Sequence, residues 1–350
     1  MRAGWLELLL FLVLGSEGCA RVLAPTLVLP HTVQCAPDGR DCLAQGRADF
    51  EAYRRVKLQE IRDKSQGYRL PSAPVAFIHP KRTAYSVLLI HGLNDSAYYM
   101  ADLGEFLYRK GFNVITVLLP GHGTDTRDML DVTAEQWRAE VDLGLGMASL
   151  VGQKIILGGF SLGASLAIDA LLRHREIYGL VQTCPVFSRH EIPLFRLHFH
   201  PGVCAGCALF RAGDGPSAEP RQVQYRAGNG VCQLSRLIEH NLRVGDTSGA
   251  VTVSEMPALA QRVRVPTFVA LSYGDRRISP TAALEFAGNI PAPVLVATFG
   301  KPEDQSVPVL ANGGKIWPVA DASLPHSYVV RRTNPYNGQE NPVSTVWPQC

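Results

Sequence analysis

Residues 154–176 read KIILGGFSLGASLAIDALLRHRE. The stretch begins as an apolar run rich in β-branched residues and ends with apolar residues at helical spacing. Between the two halves stands Gly159-Phe160-Ser161-Leu162-Gly163. A strand that turns into a helix within two or three residues strains the corner residue and lifts its side chain clear of the sheet. Side chains two positions to either side would collide in so tight a turn, so glycine is required there. The helix that follows aims its free N–H groups and positive dipole end at the corner. A serine so placed can serve as a nucleophile. The five-residue motif is weak alone, and its weight comes from the strand before it and the helix after it.

Working outward, the same alternation repeats. Residues 86–90 (SVLLI) and 113–119 (NVITVLL) predict strands, and residues 100–110 predict a helix between them. Thr133-Ala-Glu-Gln136 has the form of a capping box and opens a helix over 134–150. A third strand and helix follow at 154–158 and 162–174, then a fourth strand at 179–184. The rhythm breaks near Pro185 and resumes with a strand at 266–272, a helix near 280–288 and a strand at 292–299. Strands alternating with helices predict an α/β fold: a mostly parallel central sheet with helices on both faces. The strand runs are apolar at consecutive positions, as burial on both faces demands. Residues 186–262 are too long for a loop and read as an inserted, cysteine-containing cap, helical over 232–243. The division is therefore a leader at 1–20, an N-terminal arm and helix at 21–84 (the helix over 48–64), a core at 85–185 and 263–350, and the cap. The tail after residue 300 reads as irregular.

A serine hydroxyl needs a base, and the base needs a carboxylate to hold it. In this architecture the order is serine, acid, histidine. After the strand at 266–272 the chain has a single histidine, His326, in SLPHSYVV. Asp275 stands three residues past that strand, before a helix start at Ser279-Pro280. Asp246, Asp304 and Asp321 are less well placed rivals. The oxyanion of the reaction needs two donors. The Leu162 N–H is one. The Leu93 N–H, in the loop after the first strand, is the other, beside His91, Gly92 and Asn94. His91 is expected to shape that loop rather than to move protons. Tyr98 and Tyr99 fit pocket lining and helix packing equally well.

These residues together resemble the α/β-hydrolase superfamily, in particular its monoacylglycerol lipase-like and serine aminopeptidase-like members. The motifs LLIHGLND (88–95), LLPGHGTDTRD (118–128), GGFSLGASLA (158–167), SYGDRRISP (272–280) and LPHS (324–327) occur in the order found there. The resemblance implies Ser161 as nucleophile, Asp275 as acid and His326 as base. It also implies a pocket shaped by His91, Gly92, Asn94, His122 and Phe160, with His122 more structural than catalytic. No metal or organic cofactor is implied. The expected reaction is hydrolysis of a small carboxylic ester. Two alternatives stay open: other acyl chemistry on the same triad (thioester or peptide hydrolysis, or acyl transfer), and a non-catalytic envelope protein that binds on the same fold.

Composition bounds the partners and the compartment. The chain has 350 residues, and its formal net charge of +3, without a basic stripe, argues against nucleic acid as a partner. MRAGWLELLLFLVLGSEGCA reads as a signal peptide, with an apolar core of about ten residues, too short to span a bilayer. Two readings of its end stand side by side. GSEGCA resembles a lipoprotein box that lipidates Cys19 and attaches the protein to a membrane; alternatively cleavage follows Ala20. Either reading exports the chain to the periplasm or cell envelope, where disulfides persist. Cys35 and Cys42 flank the turn-like APDGRD and are expected to pair; Cys204, Cys207 and Cys232 are expected to crosslink the cap. HFHPGVCAGC (198–207) has elements of a zinc site in His198, His200, Cys204 and Cys207, but disulfides are preferred in an exported chain. Cys184, at a strand end near the expected active site, reads as buried or bridged.

Overall fold

The computed structural model describes residues 35–65, 70–187, 211–212, 226–243, 255–302, 309–321, 323–332 and 340. The leader with Cys19, the chain up to residue 34, and most of the expected cap lie outside these residues, including His198, His200, Cys204 and Cys207.

The apolar runs form the strands β1 (Ala76–Phe77), β2 (Thr83–Ile90), β3 (Asn113–Thr116), β4 (Gly152–Phe160) and β5 (Ile177–Thr183). Two short strands, β6 (Arg211–Ala212) and β7 (Arg226–Ala227), pair only with each other. The main sheet resumes with β8 (Thr267–Ser272), β9 (Val294–Phe299) and β10 (Lys315–Ala320). Its order is β1-β3-β2-β4-β5-β8-β9-β10, and only β1 runs antiparallel to its neighbour. The helices are α1 (Arg40–Ser65), α2 (Ala101–Arg109), α3 (Ala134–Val151), α4 (Leu162–Arg173), α5 (Gly228–Arg243), α6 (Glu255–Gln261) and α7 (Pro280–Asn289).

Register shows why both faces are apolar. Leu88 on β2 lies beside Ile115 on β3 and Leu157 on β4, while Val87 lies beside Val114 and Ile156. Neighbouring residues on a strand point to opposite faces. Gly144 of α3 packs on Leu88, and Gly104 of α2 packs on Val114, so these helices cover opposite sides. The capping box at Thr133 and Gln136 is present and fixes where α3 begins. At the other end of the core, Ser279 caps α7 by accepting from Ala282 N at 3.1 Å, with Pro280 at the first helical position.

Three boundaries depart from the sequence reading. The helix expected at 48–64 begins at Arg40, because Asp41 accepts the Ala36 N–H and the Cys35–Cys42 disulfide closes the preceding turn. The strand expected over 113–119 ends at Thr116. Beyond it, Leu118 N turns to the Tyr53 hydroxyl of α1 (2.9 Å) and Leu119 N to His91 (3.1 Å). The tail after residue 300 is not wholly irregular, since Lys315–Ala320 adds an eighth strand parallel to β9. Its Pro318 hides it in the sequence, and that proline is tolerated because the strand lies at the sheet edge.

Within the expected cap, α5 is pinned to the core by polar side chains. Asn229 donates to the carbonyls of Met129 and Val132, Asn241 donates to the Ser165 carbonyl, and Ala134 N donates to Gln233. The start of α5 also meets the loop after β2, where Gly230 lies against Leu93. Helix α6, with Leu259 and Ala260 buried, was not expected. Cys232 is disulfide-bonded and Cys184 is free and buried. No helix among the described residues is long and apolar enough to cross a membrane.

Candidate active site

Ser161 joins β4 directly to α4. Its backbone has φ 54° and ψ −115°, a combination that L-residues adopt only when the surroundings impose it. Those surroundings are on both sides. Ser161 N donates to Thr183 O on β5 at 3.0 Å, and the Thr183 hydroxyl donates to Gly159 O at 2.9 Å. A Cβ on Gly159 would run into the backbone of Gly163 and Ala164, and one on Gly163 into the carbonyls of Ile90 and His91. Both fencing glycines are therefore needed for close backbone approach, and the second brings the head of α4 against the end of β2. Leu162 is the first residue of α4, so its N–H has no partner inside the helix.

An aspartate and a histidine meet beside this corner from the segments that follow β8 and β10, two strands apart in the sheet. Asp275 follows β8, and its Oδ1 accepts from Arg277 N (2.8 Å) and Ile278 N (3.2 Å). Its Oδ2 lies 2.5 Å from His326 Nδ1, across 51 residues of sequence. A carboxylate only accepts, so Nδ1 carries a proton, and in the neutral ring the lone pair is then on Nε2. The Asp275 side chain is fully buried. The His326 ring packs on Phe160, the neighbour of Ser161, with centroids 4.8 Å apart. Of the rival acids, Asp321 is exposed and paired with Lys301 at 3.1 Å; Asp246 and Asp304 lie outside the described residues.

Sequence reasoning missed two groups that hold this pair. Ser272, fully buried at the end of β8, accepts from Gly274 N (3.2 Å) and from Leu324 N (2.8 Å), tying the acid turn to the histidine loop. Arg331 anchors the same loop from the far side: its guanidinium lies 4.0 Å from the Tyr98 ring centre and donates to the Tyr98 carbonyl at 2.8 Å. Tyr98 thus serves packing, and Tyr99 is completely buried. Only the serine's place at a strand end hinted at the first role, and nothing in the sequence hinted at the second.

The residues expected around the pocket fall into two groups. His91, His122 and Phe160 are buried and engaged internally. Leu119 N donates to His91 Nε2, so Nδ1 carries the proton and donates to Gly92 O at 2.8 Å. Burial first, and then the neighbouring His122, push the His91 pKa well below its usual value. Burial lowers His122 to about 4. Both are neutral at pH 7 and act as fixed hydrogen-bonding groups. The other group, Gly92, Leu93 and Asn94, forms the bend of the loop after β2, with Asn94 in left-handed backbone at φ 64°. Gly92 has no room for a side chain beside Phe160 and Asp95.

Cys184, Asp275 and His326 bring three ligand-type atoms within 4.8 Å of one another. Metal binding would need the thiolate. Burial first and then the Asp275 charge raise this thiol well above its usual pKa, so it stays protonated. The zinc-like elements at 198–207 lie outside the described residues.

A positive-φ serine between a parallel strand and a helix, with an Asp–His pair on later strand ends, is the site architecture of α/β-hydrolases. Residues 87–331 match the alpha/beta hydrolase family. The match covers well over half of the chain, which belongs to that family. A curated relative, the thermostable monoacylglycerol lipase of Bacillus sp. (strain H-257), is 34% identical over 107 residues, 31% of this chain and 42% of the relative. The match therefore spans less than half of that enzyme's length. Among solved structures, a soluble variant of monoglyceride lipase from Saccharomyces cerevisiae aligns with a TM-score of 0.53 at 13% identity, covering 79% of this chain and 88% of that one. A metagenome-derived lipolytic enzyme of the LipS and LipT pair aligns with a TM-score of 0.51 at 20% identity, covering 65% and 87%. These two likenesses are of fold.

Proposed function

We propose that this protein hydrolyses carboxylic esters through Ser161, His326 and Asp275. The observation that carries the reading is the Asp275–His326 hydrogen bond, seated against the corner that lifts Ser161 out of the sheet. His326 Nε2 takes the Ser161 proton as Oγ attacks the ester carbonyl. The N–H groups of Leu93 and Leu162 hold the oxyanion. The imidazolium, steadied by Asp275, gives its proton to the leaving alkoxide, and an acyl-enzyme remains. Water, activated by the same histidine, then releases the acid and restores the serine. The Bacillus relative, a monoacylglycerol lipase, supports glyceride monoesters as the first substrates to try.

Turnover of a p-nitrophenyl ester or a monoacylglycerol tests the reading. Ser161→Ala and His326→Ala should each lower kcat by about 10³-fold or more, with the chain still folded. Unchanged turnover in Ser161→Ala would refute it. Export, with or without a lipid on Cys19, belongs to the same proposal and rests on residues 1–20. The mass of the processed N-terminus decides between the two readings of Cys19.

A further inference from the structure

Cys184 takes no part in the chemistry above, yet it occupies an imposed position. It stands just past β5, completely buried, in left-handed backbone at φ 46°. Non-glycine residues hold that conformation only where the surroundings enforce it. Here Cys184 N donates to Ala270 O on β8 at 2.8 Å. The side chain is thereby directed at the acid and the base. Its Sγ lies 3.8 Å from the His326 carbonyl oxygen, within reach of an S–H donor. Sγ, an Asp275 carboxylate oxygen and a His326 ring nitrogen share a space 4.8 Å across.

We propose that Cys184 is a positioning residue whose single thiol proton, shared between the His326 carbonyl and the Asp275 carboxylate beside it, sets how firmly the acid holds the base. The inference rests on the triad reading and deepens it. Burial first and then the Asp275 charge keep the thiol neutral, so Sγ retains a proton within 4.8 Å of an acceptor oxygen of Asp275. The hydrogen bonds to Asp275 seen in the structure come from the backbone N–H groups of Arg277 and Ile278, and from His326. The remaining charged groups nearby face elsewhere. Arg276 and Arg277 are exposed, and Arg331 is turned to Tyr98 and Asp102. The β4 corner presents Phe160 and Ser161.

The chemistry fixes the sign of the effect. Each donor withdraws charge from the carboxylate. With the thiol removed, Asp275 binds the imidazolium more strongly, and the free base forms only at higher pH. A hydroxyl in place of the thiol is the stronger donor and acts in the opposite sense. A residue that merely fills space predicts no such order.

The test compares the full chain with Cys184→Ala and Cys184→Ser, using p-nitrophenyl butyrate from roughly pH 5 to 9, with fluorophosphonate labelling of Ser161 alongside. In Cys184→Ala the acidic limb of kcat/KM should move up by about half a pH unit, and kcat should fall about tenfold with KM within about twofold. In Cys184→Ser the limb should move down. Coincident limbs, or limbs displaced in the same direction, overturn the proposal. If Cys184→Ala does not fold, the direction in Cys184→Ser alone decides. A wild-type chain that fails to label at Ser161 would overturn the triad reading and this inference with it. Normal labelling with unmoved limbs overturns this inference alone.

Discussion

Ser161 owes its place to residues that carry no reactive group. Gly159 and Gly163 let β4, α4 and the end of β2 approach so closely that a methyl at either would strike backbone. Gly163→Ala should therefore cost about 1–3 kcal/mol or more of stability, read as a lowered denaturation midpoint. Ser272→Ala removes the acceptor shared by the acid turn and the histidine loop and leaves buried N–H groups unpaired. A stability loss of about 1–3 kcal/mol is expected, with kcat falling more than KM changes. At this scale the sequence was legible where chemistry restricts residue type. A serine fenced by glycines, one histidine after β8 and an aspartate just past a strand each have few substitutes. The burial of Cys184 at a strand end near the site was legible; the role of Ser272 was not, because it arises from backbone groups of two loops that meet only on folding.

Among the elements, legibility followed burial and capping. The strands β2, β4, β5, β8 and β9 are consecutive apolar runs and were recognisable as such. Helix α3 announced its start through Thr133 and Gln136, and both halves of that capping box form. Thr133→Ala should lower stability by about 1 kcal/mol while leaving kcat unchanged, measured by denaturant unfolding beside turnover. Strand β10 was missed because an edge strand may contain a proline and needs less apolar character. The start of α1 was missed because it depends on a disulfide and the Asp41 side chain rather than on periodicity. Helix α5 joins the expected cap to the core. It reaches Leu93 at one end and is held through Asn229 to the segment ahead of α3. Asn229→Ala loosens that attachment beside the Leu93 loop and, on the proposed function, should raise KM for bulkier esters before it affects global unfolding.

For the molecule as a whole, the buried histidines couple stability to acidity. His122, neutral when folded with its pKa lowered to about 4, regains its ordinary value near 6.5 on unfolding, and His91 shifts in the same direction. The unfolded chain thus binds more protons between those values. The stabilisation is complete above about pH 6.5 and is lost as pH falls toward 4, on the order of 3 kcal/mol for His122. His122→Gln should flatten that slope in thermal unfolding measured across the range. An equally steep slope in the variant would place its origin elsewhere. The α/β architecture was readable from the alternation of strands and helices, whereas the choice of substrate was not, because residues 186–262 carry no motif from which a substrate can be read. The central claim, that Ser161 is an activated nucleophile, is tested most directly by treating the full-length protein with a fluorophosphonate and mapping the adduct by mass spectrometry. A single adduct on the peptide containing Ser161, abolished in Ser161→Ala and slowed by about 10³-fold in His326→Ala, is the predicted result. No adduct on the folded chain, or an adduct on a different residue, would contradict the account.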